Sequence, residues 1–329
     1  MAKAASNGHR RVAIVNGLRT PFVKAATVFS ELTALDLGRI VVQELVQRSE
    51  LDPNELDSVV FGQVIPGLTA ASIAREVVLT AGLPRKVEAY TVARACATSI
   101  QTMVNAANAI TLGQADVVIA GGTESMSDPP IFTSRPLAHA LAESSRARNL
   151  AARVKPFQKL SPKDLIPVPP AIAEYTTGMS MGDSAEKMAK ENGITRKEQD
   201  EIALASHQNA ARAWKAGYFD AEVMHVPVPP KYATVADKDN LVREDTSLDA
   251  LLALKPVFDR KYGSVTAGNA SPLTDGAAAL LLMSEEKAKA LGYTPLGFLR
   301  SHAFAATDPA DQLLQGPAYA APIALDRAG

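Results

Sequence analysis

Residues 116–120, Asp-Val-Val-Ile-Ala, carry four apolar positions in succession with no polar alternation, and Gly121-Gly122 follows at once. A strand with one wet face alternates, whereas an unbroken apolar run fits a strand covered on both faces. Such a strand belongs at the centre of a parallel sheet with helices above and below it. The preceding chain has the pattern to provide them. Residues 11–15 predict a strand ended by Asn16-Gly17. Residues 33–49 predict a helix whose apolar stripe is Leu37, Ile40, Val41, Leu45 and Val46. Residues 58–61 predict a strand ended by Gly62, and 72–79 a helix closed by Gly82 and Pro84. A short extended run then leads to Cys96, after which Ile100, Met103, Val104 and Ala107 recur at helical spacing as far as Gly113. This alternation predicts a three-layer α/β domain, with the central strand ending at the glycine pair.

From residue 125 to about 250 the pattern changes. Prolines at 129, 130, 136, 156, 162, 167, 169, 170, 227, 229 and 230 interrupt it. Helices are predicted over 184–191 and 196–216, the second with Ile202, Ala205, Ala210 and Ala213 on its buried side. The segment reads as a mainly helical insertion. Arg146, Arg148, Arg153, Lys155 and Lys159 cluster in it, either as a solvated face or as a patch for phosphates or an anionic surface. The regular pattern returns at Val265-Thr-Ala-Gly-Asn269-Ala-Ser271 and Asp275-Gly276, followed by a strand over 277–283. Ser284 with Glu285 and Glu286 predicts an N-cap and first turn for a helix through Ala290. A strand over 295–302 and a helix over 316–327 complete the reading.

The length of 329 residues corresponds to about two domains. Its 47% hydrophobic and 21% charged content are those of a soluble globular protein. A net charge of −1 argues against non-specific nucleic-acid binding. No apolar run reaches the ~18 residues that signal a membrane span. Residues 1–11 lack the apolar core of a signal peptide and are expected to be disordered. A single cysteine excludes an intramolecular disulfide, makes a cysteine zinc site unexpected and fits a reducing compartment. The expected location is the cytoplasm.

That cysteine, Cys96, falls where a strand hands over to a helix. On composition alone it is a small buried hydrophobe. Its neighbours Ala95, Ala97, Thr98 and Ser99 are all small, however, which leaves room for a ligand beside the sulfur. A thiol in a first helical turn meets unpaired backbone N–H groups and the positive end of the helix dipole. Both favour the thiolate, which is the nucleophile.

Cys96 together with Gly121-Gly122-Thr-Glu-Ser-Met-Ser127 resembles the thiolase family. So do Arg19-Thr-Pro-Phe22, Met181-Gly-x-x-Ala-Glu186, the 265–271 stretch with Asp275-Gly-Ala-Ala278, and Asp308-Pro-x-Asp-Gln-Leu-Leu-x-Gly-Pro317, the last resembling the β-subunits of fatty-acid oxidation complexes. The resemblance spans about 11–329. It implies a layered α/β/α fold with a mainly helical loop-domain insertion and an incomplete second α/β domain. The implied boundaries are 11–125 plus 251–284 for the N-terminal domain, 126–250 for the CoA-binding loop domain and 285–329 for the start of the C-terminal one. It implies 3-ketoacyl-CoA thiolysis in fatty-acid β-oxidation, with Cys96 forming an acyl-enzyme. Ser271 would contact the pantetheine arm of CoA, Met181 and Phe258 would line its channel, and Arg243 would lie near the nucleotide end. Coenzyme A is then a co-substrate, and no tightly bound cofactor is expected. The partners implied are a second copy in a homodimer and a hydratase/dehydrogenase α-subunit. Ser180 departs from the short-chain biosynthetic members, which carry histidine there.

Three family blocks are not found: an Asn- or His-Glu-Ala-Phe segment, a Gly-His-Pro histidine and a second cysteine in Cys-x-Gly-Gly. None of His9, His139, His207, His225 and His302 stands in a Gly-His-Pro context, and His207 is expected on the surface. The expectation is a C-terminally truncated thiolase, inactive as it stands. A non-catalytic acyl-CoA-binding protein and a condensing enzyme of the same superfamily remain as alternatives.

Overall fold

A computed structural model describes residues 10–170 and 172–329. The disorder expected at the N-terminus falls largely on residues 1–9, outside the described part. The chain packs as two compact units, one running to Asp128 and resuming over Ala173–Gly329, the other Pro129–Ile172.

The larger unit is built on one sheet. Its strands are β1 (Val12–Arg19), β2 (Val23–Lys24), β3 (Ser58–Gly62), β4 (Glu88–Val92), β5 (Val117–Glu124), β8 (Thr274–Ser284) and β9 (Gly297–Phe298), in the order β4-β3-β5-β8-β1-β9 with β2 also on β8. A separate two-stranded ribbon joins β6 (Val226–Pro227) and β7 (Val235–Ala236). The helices are α1 (Ala34–Arg48), α2 (Ile73–Thr80), α3 (Thr98–Thr111), α6 (Met181–Glu191), α7 (Arg196–Lys215), α8 (Leu248–Leu252), α9 (Glu285–Ala290) and α10 (Gly316–Ala328).

β5 is buried along both faces, as its unbroken apolar run predicts. Val117 and Ile119 join Val59 and Phe61 of β3, Leu281 and Met283 of β8, and the stripes of α1 and α2 in one core. Val118 and Ala120 face the other way, with Val60, Leu282, Ala106, Ala107 and Ile110 in a second core under α3. The period-2 alternation of side chains thus feeds two apolar layers at once, and the three-layer α/β expectation holds.

Several expectations change. β5 is parallel only to β3; towards β8 it runs antiparallel. Nor does it end at Gly121-Gly122, since the strand continues to Glu124. The glycines serve close approach instead. A Cβ on Gly121 would meet Phe61 Cε2 at 2.5 Å and Ala279 Cα at 3.0 Å, and one on Gly122 would meet Ser99 Oγ at 2.7 Å. The strand expected over 295–302 is confined to Gly297–Phe298. In α3, Val104 and Ala107 are buried as expected but Ile100 is 48% exposed. In α7, Ile202 is 72% exposed and Asp200 is the buried residue. That helix is fastened through polar links, described below, and not by an apolar stripe.

In the smaller unit, α4 (Arg135–Arg146) and α5 (Leu150–Val154) are followed by 3-10 turns over Lys155–Lys159 and Pro162–Leu165. Arg146, Arg148, Arg153, Lys155 and Lys159 are exposed there. No helix among the described residues is long and apolar enough to cross a membrane.

Candidate active site

The parallel strands β4, β3 and β5 deliver their carboxyl ends to one edge of the sheet, where open α/β sheets bind ligands. β4 ends at Val92, and α3 begins at Thr98 with Ala97 as its N-cap. Cys96 lies between them, exposed. It is therefore one residue outside the cap and not in the first helical turn, as expected from the sequence.

The turn that carries it is closed by Thr98. The Thr98 hydroxyl accepts the Arg94 N–H (2.7 Å) and donates to the Ala95 carbonyl (2.7 Å). Backbone bonds from Ala97 N–H to Arg94 O (3.0 Å) and from Thr98 N–H to Ala95 O (3.1 Å) complete it. Ala95 sits at φ 41°, a left-handed conformation that a non-glycine residue holds only when its surroundings impose it. Thr98 can lie this close to the sheet because Gly62 has no side chain: a Cβ there would overlap Thr98 Cγ2. Gly122 makes the same allowance for Ser99. No side chain caps the α3 N-terminus among the described residues, and its first N–H, that of Thr98, is taken by the Ala95 carbonyl. Arg94 stacks over the Phe304 ring at 4.1 Å, bringing the 300–307 segment to the same turn.

Glu124 and Gln63 end β5 and follow β3 at this edge. Glu124 Oε2 accepts the N–H groups of Val64 (2.8 Å) and Ile65 (3.3 Å). Its Oε1 and Gln63 Oε1 are buried without a partner among the described residues. Burial pushes the Glu124 carboxyl above the usual range, against the hydrogen bonds it accepts. Sequence reasoning missed Thr98 and Glu124 as parts of a site. Their signals, a threonine two residues after the cysteine and a glutamate after a glycine pair, are ordinary.

A second constellation gathers on α6. Ser180 caps it in a reciprocal box: Asp183 N–H donates to Ser180 Oγ (3.2 Å), and Ser180 N–H donates to Asp183 Oδ2 (2.9 Å). The Ser180 hydroxyl also donates to that carboxylate, which holds Asp183 below the usual range. Met181 opens the helix, and Gly182 lies against the Phe258 ring, which a Cβ would overlap. Phe258 lines a cavity of about 400 Å³ with Asp183, Glu186, Lys187, Lys190 and Asp259. Lys190 donates to Asp259 (2.6 Å), and this bond, with N–H groups from Tyr262 and Lys261, holds the Asp259 carboxyl at about 2.

Ser271 is exposed on the loop leading into β8. Asn269 knots that loop, accepting the Thr266 N–H (2.7 Å) and donating to Ser264 O (3.0 Å) and Asp200 Oδ1 (2.9 Å). Arg243 is exposed, and its backbone N–H donates to His207 Nδ1 (3.3 Å). His207 is thus half-buried and engaged, more than the surface residue expected. Of the five candidates, Met181 precedes Gly182, the residue that packs against Phe258. Ser271 ends a loop tied to α6 through Glu186 and to α7 through Asp200. Cys96 and Arg243 stand on other segments, and Cys96 shares no hydrogen bond with the other four among the described residues.

Cys96 thus stands exposed at a strand-to-helix turn whose next residues, Thr98 and Ser99, pack into the spaces left by Gly62 and Gly122. Residues 12–286 match the model of the thiolase N-terminal domain. The 3-ketoacyl-CoA thiolase of Shewanella pealeana is 54% identical over 97% of this chain and 73% of its own length, and that of Serratia proteamaculans is likewise 54% identical with the same coverage. Among solved structures, the Bacillus anthracis acetyl-CoA acetyltransferase superposes with a TM-score of 0.86 at 35% identity, over 98% of this chain and 77% of that one. Human mitochondrial 3-ketoacyl-CoA thiolase gives 0.83 at 31% identity, over 97% and 77%. The chain belongs to the thiolase family.

Proposed function

We propose that this chain takes the acyl group of a 3-ketoacyl-CoA onto Cys96. The observation that carries the reading is the Thr98-clasped turn, which holds an exposed thiol beside the uncapped start of α3. The Cys96 thiolate attacks the 3-keto carbon, whose oxygen becomes an oxyanion facing the α3 N–H groups. Collapse of that adduct breaks the Cα–Cβ bond. The electron pair leaves with acetyl-CoA as its enolate, which takes up a proton, and the acyl group remains as a thioester on Sγ. The thiol of a second CoA then attacks this thioester and restores the thiolate. Splitting the cleavage into two thioester exchanges is what a covalent nucleophile contributes.

In this reading CoA is a co-substrate, with Ser271, Met181 and Phe258 along its pantetheine arm and Arg243 near its nucleotide. No tightly bound cofactor takes part. Domain boundaries at 11–125 plus 251–284, 126–250 and 285–329 go with it, as do a cytoplasmic location and an α-subunit carrying hydratase and dehydrogenase activity. A homodimer is supported by β4, an edge strand with Tyr90 39% exposed. These 329 residues hold one cysteine, so a second thiol for proton transfer is not among them. We therefore expect acylation without sustained turnover.

The test mixes the purified chain with acetoacetyl-CoA and an excess of free CoA and follows acetyl-CoA by chromatography. One equivalent released in a burst, absent in Cys96→Ala, is the expected result. Multiple turnovers would overturn the expectation of incomplete catalysis. No release, with malonyl-thioester condensation instead, would favour the condensing-enzyme reading.

A further inference from the structure

We propose that Glu186 is the positioning residue that sets the shape of the 264–271 loop, and through it the affinity for CoA. The inference rests on the reading that Ser271 and Phe258 face CoA.

Glu186 is only 4% exposed, yet it is a carboxylate inside a helix. Its partners are almost all backbone. The Ser264 N–H donates to both carboxylate oxygens (2.9 Å each) and the Val265 N–H donates to Oε1 (2.7 Å). The Ser264 hydroxyl adds a longer bond to Oε2 (3.3 Å). Lys190, one turn further along α6, contributes attraction through space. Three N–H approaches at one carboxylate form a cradle that fixes two successive peptide planes, because charge-assisted bonds are short and directional. Gly263 belongs to the same device, since a Cβ there would overlap Glu186 Oε1 and the Asp259 carbonyl.

What those planes carry is the loop ending at Ser271. From Ser264 the constraint passes through Asn269, which bridges Thr266 N–H, Ser264 O and the buried Asp200. Gln199 donates to Ser264 Oγ (2.9 Å), and Arg196 holds Asp200 (2.7 Å) while donating to Leu254 O (3.1 Å). At the other end, Gly182 lies four residues before Glu186 and so on the same helix face, pressed against Phe258. One face of α6 therefore sets both the Phe258 ring and the origin of the Ser271 loop. A buried carboxylate is costly unless every oxygen is engaged. A packing role alone is met as well by an apolar side chain; the charge is needed where a loop must adopt one conformation.

The test is CoA binding by calorimetry, with iodoacetamide alkylation of Cys96 as a second readout. Glu186→Gln turns one acceptor oxygen into an NH2 group facing a backbone N–H. It is expected to raise the Kd of CoA at least tenfold while alkylation of Cys96 stays within twofold, a split that general loss of structure would not produce. Ser264→Ala, a milder cut in the same cradle, is expected to raise the Kd at least threefold. A folded Glu186→Gln chain that binds CoA as the unsubstituted chain does overturns the proposal, and so does an unchanged Kd in Ser264→Ala should Glu186→Gln fail to fold. If the unsubstituted chain does not bind CoA, the CoA-site reading falls and this inference with it.

Discussion

Replacing Thr98 by valine removes one hydroxyl from a side chain of nearly the same shape. The Arg94 N–H then loses its acceptor and the Ala95 carbonyl loses one of its two donors, the other being the Thr98 N–H. Thr98 is buried, so water cannot readily replace the lost hydroxyl, and leaving such a group unpaired costs about 1–3 kcal/mol. Ala95 adds to the effect, since a left-handed alanine carries about 1–3 kcal/mol of strain that its surroundings must hold down. With the clasp gone, the turn can relax Ala95 and move Cys96. A displacement of about 1 Å at a reacting atom is enough to slow a positioned reaction about 100-fold. Urea titration of Thr98→Val is expected to show a loss of about 1–3 kcal/mol with an unchanged denaturant slope. Acylation by acetoacetyl-CoA, read by intact mass, is expected to slow about 10–100-fold. Thr98→Ser keeps the hydroxyl and loses only the methyl over Gly62. It should lose about 1 kcal/mol and acylate nearly as fast as the unsubstituted chain. Acylation of Thr98→Val at the unsubstituted rate, or of Thr98→Ser as slowly as Thr98→Val, would show that the hydroxyl clasp does not position Cys96.

Glu124 predicts a pH dependence: its folded value is raised by burial, so its contribution is full below the ordinary carboxylate value and is lost as pH rises through the raised one. Glu124→Gln should flatten the melting temperature across that window, as scanning calorimetry at a series of pH values will read. Phe61 is fully buried and packs between Gly38 and Gly121, so Phe61→Ala should cost about 3–5 kcal/mol in denaturant titration. Tyr90→Lys places a charge on the β4 edge, and light scattering should show a dimer reduced to monomer with the circular dichroism unchanged.

The layered core was legible because its signal is local. Four apolar residues in a row at 117–120 can only be a strand buried twice over or a helix segment, and the flanking turn residues decided between them. The glycine pair after it was misread because a glycine that ends a strand and one that admits a neighbour look alike in sequence. Only the Phe61 ring and Ser99, distant in the chain, distinguish the two. The same limit applies to α7. Its alanines and Ile202 have helical spacing, yet the face that packs is chosen by Asp200, Arg196 and Asn269. Cys96 was found from its small neighbours, but the residue that aims it, Thr98, was counted only as small. Glu186 was recognised as part of a motif and not as an acceptor, since its donors lie 78 and 79 residues away. What sequence spacing cannot express is which buried polar group meets which.

Whether Cys96 receives the acyl group is read most directly by peptide mapping by mass spectrometry after acid quench of the chain with a 3-ketoacyl-CoA. One acyl adduct is expected, on the peptide containing Cys96 and missing from Cys96→Ser. An unmodified Cys96 after exposure to a 3-ketoacyl-CoA that the chain demonstrably binds would contradict that role.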